Sequence, residues 1–164
     1  MRWISRLKRR MDKPMSDDDP KTLVYPDAFL RDILTRVKTI ALVGASANPA
    51  RPSFGVFAYL LTQGYHVIGV NPALVGQTIH GASCFKSLAD VPEPIDMVDI
   101  FRNSDAAGGV VDEALALAPL PLAIWMQIGV RDDAAAARAQ ALGVKVVMNR
   151  CPKIEHGRLS VGDH

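Results

Sequence analysis

The chain has 164 residues, of which 49% are hydrophobic and 22% are charged, a composition typical of one globular domain. It holds 19 basic and 17 acidic residues; six basic and one acidic lie in residues 1–14, which leaves 13 against 16 and a slightly acidic body. This distribution argues against nucleic-acid binding, which needs clustered cations across the folded body. No apolar run reaches the roughly 20 residues of a membrane-spanning helix.

Residues 1–25 read as a basic leader followed by an acidic connector, and we expect them to be disordered. Trp3, Ile4, Leu7 and Met11 have helical spacing, so a surface-seeking amphipathic helix remains an alternative for the leader. We expect residues 26–156 to form the domain and residues 157–164 a C-terminal tail. No secretory signal is recognisable, and the two cysteines are far apart, which favours a reduced, cytoplasmic setting.

Apolar runs and amphipathic stretches alternate along the rest of the chain, which predicts an α/β Rossmann-type three-layer sandwich with a mostly parallel sheet of about five strands. A short amphipathic helix opens at Pro26. The predicted strands are Ile40–Val43, His66–Val70, Met97–Phe101, Leu122–Met126 and Lys145–Met148. The predicted helices between them are Phe54–Gln63, Ala106–Leu117 and Asp133–Leu142. Residues 77–81 suggest a short extended piece and residues 87–90 a helical turn.

Ligands of such sheets bind beyond the carboxyl ends of the strands, so the residues that follow each strand are the candidates for a site. Small, amide-bearing and cationic side chains gather there, whereas the opposite strand ends show mainly turn residues. The metal-ligand spacing of a zinc site is missing. The candidate cofactor-binding residues are Gly44, Ala45, Ser46, Asn48, Arg51, Ser53, Asn71, Pro72, Phe101, Arg102, Gln127 and Gly129.

The most specific element is residues 43–55, which join the first strand to a helix. Its small residues let backbone N–H groups approach a phosphate, and the helix start adds donors and a positive dipole. Arg51 and Ser53 would add a guanidinium and a hydroxyl near that anion. The alternative is an ordinary loop in which Ser53 is the N-cap of the helix; Ser53 could also cap and bind together.

Two features disagree with a nicotinamide or flavin dinucleotide. The loop lacks the second and third glycines of G-x-G-x-x-G, so a diphosphate crossing it would meet side chains. The second strand ends in Asn71-Pro72, where a dinucleotide site usually offers an acid to the ribose. An acid there would repel a ribose 3′-phosphate, so its absence favours coenzyme A (CoA).

Across residues 29–155 the chain resembles the small standalone CoA-binding proteins, relatives of the CoA-binding domain of the succinyl-CoA synthetase α subunit. The motifs that carry the resemblance are Val43-Gly44-Ala45-Ser46, Asn48-Pro49, Arg51, Ser53, Gly64-Tyr65, Val70-Asn71-Pro72, Val98-Asp99-Ile100-Phe101-Arg102, Trp125-Met126-Gln127-Ile128-Gly129 and Arg150-Cys151. The resemblance implies CoA with its phosphates over the first loop and its adenosine side near Asn71, Pro72, Phe101 and Arg102. The basic leader departs from the pattern.

Several single residues admit two interpretations. Arg102 could bind a ligand phosphate, which we favour, or pair with Asp99 or Asp105. For Trp125 we expect core packing, and for Asp99 a structural hydrogen bond to a neighbouring loop. Cys151 follows the last strand at the ligand edge, where it could meet a CoA thiol, but a buried inert thiol is the favoured interpretation.

Three functions remain open at this stage. The first is a nucleotide-binding module that binds CoA or an acyl-CoA without catalysis of its own, because no familiar nucleophile–base motif is visible. The second is a subunit of an acyl-CoA ligase that would need partner chains. The third is an NAD(P)-binding oxidoreductase or redox sensor, since this architecture serves many ligands. A protein partner or a homo-oligomer also remains open.

Overall fold

The computed structural model describes residues 23–162, which form a seven-stranded sheet with helices on both faces. The strands are β1 (Thr39–Val43), β2 (His66–Val70), β3 (Thr78–Ile79), β4 (Ala82–Phe85), β5 (Met97–Ile100), β6 (Ala123–Met126) and β7 (Lys145–Val147). The helices are α1 (Asp27–Arg36), α2 (Pro52–Thr62), α3 (Ser104–Leu115), α4 (Asp133–Ala141) and α5 (Pro152–Arg158).

The strand order is β3-β4-β2-β1-β5-β6-β7, and every neighbouring pair except β3 and β4 is parallel. The order reverses at β1, which lies between β2 and β5, and this reversal leaves a crevice at the carboxyl ends of the strands. The Rossmann-type fold expected from the sequence is therefore confirmed.

The expected count of about five strands leaves out β3 and β4, although the short extended piece expected at residues 77–81 contains β3. These two strands form a hairpin whose turn residues, His80 and Gly81, both have positive φ (50° and 80°), as a two-residue turn of this kind requires. The hairpin joins the sheet because β4 pairs in parallel with the end of β2 at two positions. Such pairing is long-range, and no local periodicity in the sequence announces it.

Two apolar layers hold the helices against the sheet, one on each face. Alternate side chains of β1 show the division: Ala41 and Val43 pack into the cluster beneath α3 and α4, and Ile40 and Leu42 into the cluster beneath α1, α2 and α5. A strand buried on both faces reads as a continuous apolar run, which is why the sequence predicted β1. None of the helices in residues 23–162 is long and apolar enough to cross a membrane.

Residues that pack against the domain extend past both of its predicted limits, residues 26 and 156. Leu23 is buried, and the Tyr25 hydroxyl accepts a hydrogen bond of 2.8 Å from the backbone N–H of Met148, directly after β7. The Arg150 guanidinium donates to the Leu23 carbonyl and lies 5.5 Å from the Tyr25 ring centroid. At the other end α5, which the sequence did not predict, continues to Arg158 and is followed by buried Leu159. Residues 1–22, for which we expected disorder with an amphipathic helix as the alternative, lie outside the described residues.

Candidate functional site

A cleft of about 1060 Å³ runs along the carboxyl ends of the parallel strands. It is lined by residues that follow β4, β2, β1, β5 and β6, together with the start of α2 and one side of α3. Eleven of the twelve candidate residues line it: Gly44, Ala45, Ser46, Arg51, Ser53, Asn71, Pro72, Phe101, Arg102, Gln127 and Gly129. The exception is Asn48, whose side-chain oxygen instead accepts a hydrogen bond from the backbone of Ala50 within the loop.

The loop after β1 is held in place by glycine geometry and by one amide side chain. Gly44 has φ +87°, and a Cβ there would lie 2.7 Å from the carbonyl oxygen of Phe101, so only glycine fits. The Asn71 side chain donates to the Ala45 carbonyl over 2.8 Å and accepts from the backbone of Ala73 over 2.9 Å. Asn71 therefore joins the loop after β1 to the turn after β2.

The backbone of this loop presents donors to the cleft. In the part of the chain that the structure describes, no hydrogen bond occupies the backbone N–H groups of Ala45, Ser46 or Ser53. The start of α2 adds to this, since no side chain caps the helix. Free N–H groups at a helix start and a small-residue loop form an anion-binding arrangement.

The alternative interpretation from the sequence, in which Ser53 is the N-cap of this helix, is wrong. Pro52 occupies the first helical position, where its fixed φ and missing N–H cost nothing, and Arg51 is the cap residue. Ser53 lies at the second position and is buried. Proline's preference for the first turn is the signal in the sequence that would have placed the helix start correctly.

The charged side chains of the cleft are three cations and one acid. Arg51, Lys86 and Arg102 line it with Glu113, and all four are exposed. Within residues 23–162 none of them takes part in an ion pair. Arg102 thus does not pair with Asp99 or Asp105, the alternative considered from the sequence, and its charge remains available to a ligand.

The cleft also contains a buried polar atom without a partner. Gln127 is 9% exposed, and its Oε1 atom accepts no hydrogen bond within the described chain. A buried amide oxygen that loses water without gaining a donor costs about 1–3 kcal/mol. Because this atom has almost no exposed surface, it lies in the wall of the cleft and not at its surface.

Lys86 and Ser87 line the cleft although the sequence did not single them out. They reach it because β4 joins the parallel sheet beside β2, so that the residues after β4 arrive at the same edge as Asn71. The backbone N–H of Asn71 donates to the Phe85 carbonyl over 2.9 Å, which fixes this proximity.

Asp99 departs from the expectation of a hydrogen bond to a neighbouring loop. Asp99 pairs in register with Leu42 on one side and Trp125 on the other, and its carboxyl group is completely buried with no hydrogen-bond partner among residues 23–162. Burial therefore raises the pKa of Asp99 well above the ordinary value of 3.8. The carboxyl group lies in the apolar layer and is not a partner of Arg102.

Trp125 and the cysteines belong to the core. Trp125 is fully buried, as predicted, and its Nε1 atom donates to the Arg150 carbonyl over 2.9 Å. Cys84 and Cys151 are buried free thiols, and neither lines the cleft; burial raises the pKa of Cys84. No cluster of metal-ligating side chains occurs in residues 23–162.

Comparisons with known proteins agree with this arrangement. A family described as a CoA binding domain matches residues 38–157. The uncharacterized protein YneT of Bacillus subtilis is 35% identical over 130 residues, covering 79% of this chain and 93% of that protein.

Two solved structures are similar over nearly their full length. The cell-free ID.343 protein of Thermus thermophilus is 39% identical with a TM-score of 0.77, covering 82% of this chain and 99% of that one. A hypothetical protein of Pyrococcus horikoshii OT3 is 34% identical with a TM-score of 0.78, covering 90% and 96%. With its sequence matched from β1 to α5 and its crevice in place, the chain belongs to the CoA binding domain family.

Proposed function

We propose that the cleft binds coenzyme A or an acyl-CoA, with the diphosphate over the loop after β1. The observation that carries this proposal is the group of free backbone donors at Ala45, Ser46 and Ser53, flanked by the unpaired cations Arg51 and Arg102. Preformed N–H donors and charge-assisted contacts together favour a diphosphate over a neutral ligand. Membership of the CoA binding domain family supports the same ligand.

The residue after β2 favours CoA over a nicotinamide dinucleotide. Asn71 stands where an acid would bind ribose hydroxyls, and its amide already joins Ala45 to Ala73. The Asn71 side chain is uncharged and already hydrogen-bonded to the backbone, so it would not repel a phosphate on the ribose.

We propose a carrier or sensor rather than an enzyme. The lining of the cleft includes three serines, but no histidine or cysteine of residues 23–162 contributes to it. A serine nucleophile needs a general base within hydrogen-bond distance. Among the described residues, no hydrogen bond joins a serine of the cleft to a side chain that could be this base and that also lines the cleft. Buried, unpaired cysteines agree with the proposed cytoplasmic location.

Isothermal titration calorimetry tests the proposal directly. We expect CoA and acetyl-CoA to bind, and NAD and NADP to bind far more weakly. The Arg51→Ala, Arg102→Ala double variant should lose much of the CoA affinity, because it lacks the two cations beside the loop after β1. Both side chains are exposed, so we expect their removal to leave the fold intact. Arg36→Ala is the matched control, because Arg36 is an exposed arginine on α1 that pairs with Asp32. Binding of a nicotinamide cofactor but not of CoA would refute the proposal and leave an oxidoreductase to be assayed.

A further inference from the structure

The cleft is long and its two ends differ in charge. It crosses the ends of five neighbouring strands, β4, β2, β1, β5 and β6, and four spacings of about 4.8 Å make it roughly 19 Å long. Lys86 lies at the β4 end. Gln127, Ile128, Gly129 and Val130 line the β6 end, and none of them is charged. Glu113 lines the cleft from α3, a helix that contacts the turn at residues 88–90 as well as β5 and β6.

The anion-binding loop lies between these ends, since β1 is the central strand of the five. A ligand with its diphosphate on this loop must extend in both directions along the sheet edge. One direction leads toward Asn71, Pro72 and Lys86, and the other toward Gln127, Ile128 and Val130.

CoA has two unlike arms on either side of its diphosphate. One arm is the adenosine with a phosphate on its ribose, and the other is the uncharged pantetheine with amide N–H groups. Electrostatics matches the phosphate-bearing arm to Lys86 and the uncharged arm to the β6 end, whose lining residues are uncharged.

No acid competes for Lys86. Within the described chain its ammonium group makes no ion pair, and the neighbouring Asp90 instead accepts a hydrogen bond of 3.0 Å from the Ser87 hydroxyl. The position of Lys86 is set by the backbone, because Phe85 is hydrogen-bonded to Asn71 and pairs in register with Val70.

We propose that Lys86 binds the ribose 3′-phosphate of CoA and so determines both the direction of the ligand and its preference over 3′-dephospho-CoA. This inference rests on the proposed function, because it concerns the same cleft. It adds a specificity-determining residue that neither the strand-end motifs nor the loop after β1 identifies.

The experiment is a two-by-two comparison of the full-length protein and its Lys86→Met variant, each titrated calorimetrically with CoA and with 3′-dephospho-CoA. Lys86→Met is expected to weaken CoA binding roughly five- to tenfold, as for a partly solvated ion pair, and to leave the affinity for 3′-dephospho-CoA unchanged. Unchanged dephospho-CoA binding also shows that the variant is folded. Lys38→Met, on an exposed lysine at the opposite edge of the sheet, is the matched control and should alter neither affinity.

The outcomes separate the two proposals. If the unmodified protein binds both ligands equally, or if Lys86→Met weakens both to the same degree or neither, the role of Lys86 is refuted while CoA binding stands. If the unmodified protein binds neither ligand, the proposed function fails and the role of Lys86 fails with it.

Discussion

Replacing Gly44 by alanine tests whether the loop after β1 depends on the absence of a side chain. Gly44 has φ +87°, and an added Cβ would lie 2.7 Å from the carbonyl oxygen and 3.0 Å from the carbonyl carbon of Phe101. Both obstructing atoms belong to the backbone, so no rotamer change can relieve the contact. The substitution therefore carries two costs, one for the backbone conformation and one for the collision.

The two costs can be separated with a second glycine. Gly76 has φ +79°, but a Cβ there would meet nothing within 4 Å, so Gly76→Ala carries the conformational cost alone. That cost is about 1–2 kcal/mol for a left-handed residue. Forcing an extra carbon into a packed position adds about 1–3 kcal/mol. We expect Gly44→Ala to lower the free energy of unfolding by about 2–5 kcal/mol and Gly76→Ala by about 1–2 kcal/mol.

Urea unfolding followed by circular dichroism at 25 °C measures the difference, with the slope m used to check that both variants unfold in one step. The Gly44 variant should have the lower midpoint by a clear margin. Equal midpoints for the two variants would refute the reasoning, because they would show that the contact with Phe101 is relieved at no cost.

Three further predictions concern the cleft and the core. Asn71→Asp removes the N–H donor to the Ala45 carbonyl and adds a negative charge to the cleft, so we expect a loss of about 1–3 kcal/mol of stability and weaker CoA binding, measured by urea unfolding and calorimetry. Trp125→Phe removes the donor to the Arg150 carbonyl and creates a small cavity beside it. We expect urea unfolding to show a loss of about 2–4 kcal/mol in the free energy of unfolding, and a loss below about 1 kcal/mol would contradict this role. Asp99→Asn removes a group that is protonated in the folded state and, above its ordinary pKa of 3.8, ionised in the unfolded state. As the pH rises from near 4 to the raised pKa, the free energy of unfolding of the unmodified protein should therefore fall relative to that of this variant, by up to about 1.4 kcal/mol per pH unit. A difference in stability that does not change with pH would argue against a buried neutral acid.

Most of the fold could be predicted from the sequence because its strands are buried on both faces. β1, β2, β5, β6 and β7 were all predicted, with ends displaced by at most one residue. The predicted start of α3 was two residues late, since the Asn103 side chain, which caps the helix by accepting from Ala106, was not recognised as the cap. Periodicity locates an element well but its end poorly, because the end is decided by a single capping contact.

The site was predictable where it depends on strand order and unpredictable where it depends on pairing between distant segments. Gly44, Arg102 and Gln127 directly follow strands or nearly so, and the parallel topology alone brings them together. Lys86 reaches the cleft only because a two-position pairing attaches β4 to β2. No pattern within residues 77–87 encodes that pairing, so sequence reasoning overlooked the cation that we propose determines the choice of ligand.

The contacts of Leu23 and Tyr25 bear on the edge of the sheet that β7 forms. β7, a strand of three residues, forms one edge of the sheet, and unpaired backbone groups at such an edge invite a strand from another molecule. The Tyr25 hydroxyl occupies the N–H group of Met148 directly after that strand, and Arg150 holds the segment in place through Leu23. The segment before α1 thus occupies one of the backbone donors that a strand from another molecule could use. Truncations from the amino terminus should therefore retain residue 23 and all that follow it.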